Sequence, residues 1–195
     1  MEAPANYKQV ITVFEKKSDD IRRYFADLES LVKGYDWHVS LSYVFSKIET
    51  VKHTALYCGL VKLHWTETTL TRDLLNRVHI SRGRYKELFK HVYGAALPDS
   101  IQKNLSAAEK IRDRVAHGKD ITQPEARQGL VDAFEFSEAF NGFVKEKAGV
   151  SPFGDLRGFK GRAEPLSRET TRWVLRGMGI PPISNNRTKS MDEQF

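Results

Sequence analysis

A chain of 195 residues that is 40% hydrophobic and 29% charged, with 11 Phe, 7 Tyr and 3 Trp, is long enough to bury one core and too aromatic to be disordered throughout. Its only cysteine, Cys58, excludes an internal disulfide and fits a reducing compartment. The net charge of +6 is uneven: residues 145–189 hold ten Lys or Arg against four acids, a balance that suits a polyanion partner or simply a solvated basic surface.

The first residues, "MEAPANYKQVITVFEKK", lack the basic-then-apolar order of a secretory leader. No apolar run approaches the roughly 20 residues that span a bilayer. The expectation is a soluble, cytoplasmic protein with no membrane attachment. Strand alternation is not convincing anywhere, and helical spacing recurs instead. A first helix is expected over 18–33, with Ile21, Tyr24, Phe25, Leu28, Leu31 and Val32 on one side, acidic residues at its start and Gly34 at its end. A long helix follows over 38–65, with Cys58 read as core in "ALYCGLVKL". The periodic stretch 70–80 either continues it or follows a break near Thr66, and a short helix is expected over 84–92.

Pro98 closes the connection to a helix over 99–117, which Gly118 ends. Thr122 and Glu125 have capping-box spacing, with Pro124 in the first turn, and open a helix that reaches residue 148. Gly- and Pro-punctuated residues 149–165 read as a loop and "LSRETTRWVLRGM" as a final short helix. The expected architecture is all-α: an antiparallel bundle of four to five helices over 1–148, a basic loop plus short helix over 149–183, and a disordered tail over 184–195.

The chemistry-bearing stretch is "KIRDRVAHGKD". Arg112 and His117 are five residues apart, about 140° around a helix, while Asp113 shares a face with His117. One helix end thus carries two guanidiniums, a carboxylate and an imidazole. Arg offers a planar fork of donors to phosphate oxygens, and His titrates near neutrality and can move a proton. RNA brings its own nucleophile, the 2′-hydroxyl, so such a site could cleave a phosphodiester without a metal. Arg followed at this interval by His is weak alone, since Arg72 with His79 and Arg84 with His91 have comparable spacings. The bland alternative is a solvated helix end with His117 complementing its dipole.

Context separates 112–117 from those other pairs. "RDRVAHGK" resembles the motif of the HEPN superfamily (higher eukaryotes and prokaryotes nucleotide-binding): Arg, a polar residue, three residues, then His, matched here by Arg112, Asp113 and His117. The resemblance covers eight residues, and the expected bundle is compatible with the family's fold. It implies a metal-independent RNA endonuclease, a homodimer whose paired motifs form one composite site, and roles in toxin or phage-defence systems. Some members of the family only bind. His117 would be the acid/base, Arg112 the phosphate clamp and Asp113 the orienting group, with no cofactor and no metal. Toxins of the family silenced by nucleotidyltransferase antitoxins carry a Tyr two residues after the His. Here that position is Lys119, which argues against that control.

RNA contacts are expected from Arg114 and Lys119, and from Arg157, Lys160 and Arg162 between the loop glycines. Arg168, Arg172 and Arg176 form a stripe on the last helix, with Phe153 or Phe159 available to stack on a base; the alternative is a helix docked by Trp173 with its charges in water. Glu49 with His53, and His64 with Glu67, have spacings that a metal could use, but side-chain pairing explains them as well. In "AFEFSEAFNGF", Phe136 or Phe143 could line a dimer interface instead of the core. HExxH, Walker-type and GxSxG patterns are absent from the sequence.

Overall fold

The axis of the molecule is the long apolar stripe in the first half of the chain. The structure is a computed structural model that describes residues 3–180. It is all-α: among the described residues there are nine helices and no strand. The tail expected over 184–195, and the last residues of the 149–183 segment, lie outside the described residues.

Helix α1 (Tyr7–Glu15) is an element that apolar spacing did not predict. Its run Val10-Ile11-Thr12-Val13 is β-branched and has poor helix propensity. Asn6 caps it by accepting from the Gln9 N–H, and burial of Val10, Ile11 and Phe14 beside the penultimate helix overrides propensity. The single helix expected over 18–33 is two: α2 (Asp19–Tyr24) and α3 (Leu28–Gly34). The break falls at Phe25, whose φ of −102° and ψ of 42° leave the helical range. Its fully buried ring packs near Tyr24, Phe134 and Phe153, and that burial turns the chain.

Helix α4 (Trp37–Leu63) begins at Asp36, whose carboxylate accepts from the His38 N–H. Leu41, Val44, Phe45, Ile48, Val51, Ala55, Leu56, Cys58 and Leu60 are all buried along it, so it runs through the core. It packs on α3, on α5 (Thr68–Arg77) and on α6 (Arg82–Tyr93). Gly59 makes the α6 approach possible: a Cβ there would lie 2.4 Å from a methyl of Val92. Trp65 takes a positive φ of 56° and turns the chain into α5.

Helix α7 (Asp99–Ala116) packs chiefly on α8 (Gln123–Ala148), which also lies against α4. The capping box at Thr122 and Glu125 forms as its spacing predicts. Phe134, Phe136 and Phe140 are fully buried. Phe136 stacks on Phe140 with ring centroids 5.2 Å apart, so it belongs to the core and not to an interface. Phe143 is half-buried against Phe89.

The chain after α8 is stitched into the same core. Phe153 lies 5.1 Å from the Tyr24 ring, and Leu175 and Ile180 are buried with it. Helix α9 (Arg168–Gly177) rests on α5 through Thr171 and Leu175. The Thr171 hydroxyl accepts from the Glu67 N–H at 3.0 Å. Trp173 does not dock the helix: it is 66% exposed, because Thr171 and Leu175 share the inward face and Trp173 falls between them on the other.

Candidate active site

The last turn of α7 closes in a Schellman arrangement. Gly118 takes φ 65°, its N–H bonds the Val115 carbonyl at 3.0 Å, and the Lys119 N–H bonds the Arg114 carbonyl at 2.8 Å. His117 is the C-cap residue and is exposed to solvent. The helix's free carbonyls lie at this end.

One turn back, Asp113 is gripped from another element. Arg82, at the start of α6, donates to both carboxylate oxygens at 2.6 Å each, and Arg112 adds a third bond at 3.1 Å. Hydrogen bonds from Arg82, joined by Arg112, hold the Asp113 carboxyl at about 2, well below the usual carboxylate range. The Nε of Arg82 lies 3.4 Å from Glu109, whose own pKa burial pushes up in spite of Arg82 and the buried Lys52. Arg112 is half-buried, its guanidinium 5.8 Å from the Phe45 ring on α4. Asp113 therefore spends its oxygens on two arginines, not on the imidazole of His117, and fixes Arg112 in place.

The expected RNA contacts divide between two regions. Arg114 donates to Glu125 and to the Asp120 carbonyl, so it braces the turn between α7 and α8; Lys119 stands exposed beside it. Arg157 is bound by Asp155, Lys160 is exposed, and Arg162 stacks 3.8 Å from the centroid of Trp65. Trp65 follows the C-terminus of α4, whereas Arg112 sits over Phe45, which is 18 residues before Leu63 on that helix, or about 27 Å of rise. Phe153 is buried and cannot meet a base; Phe159 is half-buried, with Lys62 5.2 Å from its ring.

The two metal-spaced pairs are engaged otherwise. Glu49 pairs with Lys52 at 3.0 Å, and burial lowers the pKa of His53. The Nε2 of His64 meets the Val92 carbonyl at 2.7 Å, and Glu67 caps α5 by accepting from the Thr69 and Leu70 N–H groups. Among the described residues no three His, Cys, Asp or Glu side chains cluster as metal ligands would. No described helix is long and apolar enough to cross a membrane.

Arg82 is the site residue that sequence reasoning missed. It lies 31 positions before Asp113, and nothing in local spacing signals a pairing that the packing of α6 and α7 creates. Comparison with known proteins adds no family. Scans against family models, curated proteins and solved structures returned no match.

Proposed function

We propose that the chain is a metal-independent RNA endonuclease acting at the end of α7, with no cofactor, in the cytoplasm. The observation that carries this reading is an exposed imidazole, His117, on the same helix end as Arg112, five residues before it, which Asp113, itself gripped by Arg82, holds in place. The 2′-oxygen of the substrate attacks the adjacent phosphorus as the bond to the 5′-oxygen breaks. The products are a 2′,3′-cyclic phosphate and a 5′-hydroxyl. His117 takes the 2′-hydroxyl proton, and an imidazolium returns one to the leaving oxygen. Arg112 balances the charge that grows on the phosphoryl oxygens.

One imidazole cannot serve as base and acid in the same step, so a second copy of the chain completes the site in a homodimer. That arrangement, a toxin or phage-defence role and a partner antitoxin rest on the HEPN resemblance. Lys119 and Arg114 flank the reacting phosphate in this reading.

His117→Ala should fold as the parent does and lose about 10²- to 10⁴-fold in RNA cleavage. Parent cleavage should persist in a metal chelator. Equal cleavage by parent and variant, or activity that chelator removes and a divalent ion restores, would overturn the assignment. A second reading, a non-catalytic module that binds nucleic acid or a protein partner, is favoured by the full engagement of Asp113 by arginines. It predicts RNA binding without cleavage.

A further inference from the structure

The exposed face of α9 is the least expected surface of the molecule. Trp173 is 66% exposed there, the highest exposure among the large hydrophobic side chains of the described residues. Water around an indole is unfavourable, and a Trp held outward on an ordered helix offers an aromatic plane at little entropic cost. The helix does not need it for docking, since Thr171 and Leu175 make the inward contacts.

Charge around the ring has one dominant sign. Arg172 and Arg176 are exposed and form no ion pair among the described residues, while Arg168 pairs with Glu67 at 3.2 Å. Glu169, the one carboxylate of α9, sits in its first turn, where it complements the free N–H groups. Arg172 and Arg176 lie one turn apart on the same side of the ring as Glu169, and an aromatic plane beside two guanidiniums that form no ion pair among the described residues matches a chain that alternates anionic links with flat bases. It does not match a duplex, whose bases are stacked on one another.

The position of α9 gives that face a direction. Its start is tied to the Trp65 corner, where the Leu166 N–H bonds the Trp65 carbonyl at 2.8 Å and Arg162 covers the Trp65 ring. Just past its end, the Gly179 carbonyl accepts from Arg84 of α6. Arg84 is two residues from Arg82, which grips Asp113. The helix thus runs about 15 Å from the basic loop towards the first turn of α6 beside the candidate active site.

We infer that the outer face of α9 is a binding platform for single-stranded RNA, on which Trp173 stacks a base and Arg172 and Arg176 hold the flanking phosphates. It rests on the ribonuclease reading for the identity of its ligand, and adds where the strand lies on its way to His117.

The test uses the full chain and a short 2′-O-methyl oligouridylate, which lacks the 2′-hydroxyl nucleophile and so reports binding alone. The parent should bind this strand more tightly than a duplex of equal length. Trp173→Ala should weaken binding roughly 5- to 100-fold, and Trp173→Phe should keep most of it. Arg172→Gln with Arg176→Gln should reduce the slope of log affinity against log salt by about 1.4. Because these side chains are exposed, each variant should melt with the parent. Undiminished binding by Trp173→Ala, equal affinity for duplex and single strand, or binding to anionic vesicles in place of the oligonucleotide would each overturn the platform. The two readings fail separately: binding through Trp173 without cutting of ordinary RNA sinks the nuclease, whereas His117-dependent cutting with Trp173→Ala binding as the parent does sinks the platform.

Discussion

Asp113 shows how one carboxylate links chemistry to stability. Its folded pKa is depressed to about 2 by the Arg82 hydrogen bonds, with Arg112 adding to them. A depressed carboxyl stabilises the fold above its unfolded pKa and loses that contribution as pH falls towards the folded value. The window is therefore about pH 4 down to pH 2. The side chain is 33% exposed, so water screens the pair, and the contribution is about 1 kcal/mol rather than the full shift. Urea unfolding at a series of pH values should show Asp113→Asn less stable than the parent at pH 7, with the gap closing below pH 3. Glu109 works in the opposite sense. Burial raises its pKa, so its favourable contribution is present at low pH and is lost as pH rises through the folded value. Arg82 couples the two carboxylates, and Arg82→Ala should release Arg112 and Asp113 together. Under the nuclease reading it should lower the cleavage rate with little change in the affinity for uncleavable RNA.

At the scale of elements, close approach between α4 and α6 sets where Arg82 stands. A Cβ at Gly59 would meet a Val92 methyl at 2.4 Å and the Tyr93 ring at 2.9 Å. Tyr93 is itself fixed by its hydroxyl, which donates to the Ala55 carbonyl at 2.6 Å. Gly59→Ala must push α6 away from α4, at a cost of about 1–3 kcal/mol. Thermal melting should report the loss of stability. Because α6 carries Arg82 to Asp113, the same variant should lose cleavage beyond what its unfolded fraction explains.

At the scale of the molecule, the segment after α8 is part of the core and also carries the exposed basic face. Leu175 is fully buried among residues of the main cluster, so Leu175→Ala should cost about 2–5 kcal/mol. Trp173→Ala, two residues away, should change stability by no more than about 0.5 kcal/mol. Comparing the two melting curves tests whether α9 is an integral wall of the fold or a loosely attached appendage, which would make both substitutions silent.

The sequence by itself determined the helical class and most helix ends, because those depend on local chemistry. Thr122 with Glu125 caps α8, Gly118 closes α7, and the stripe from Leu41 to Leu60 forms one long helix; each is a matter of neighbours within a turn or two. It also put Arg112, Asp113 and His117 on one helix end, since their spacing is a property of the helix alone. Only the tertiary structure decided the rest. The break at Phe25, the helix at Tyr7–Glu15, the burial of Phe136 and Phe153 and the exposure of Trp173 follow from which faces the core covers, and a periodicity cannot say which of two apolar faces will win. The partner of Asp113 is likewise a product of packing: Arg82 reaches it because α6 and α7 meet in space, and the physical link between them is 31 residues long in the chain but 2.6 Å across the fold.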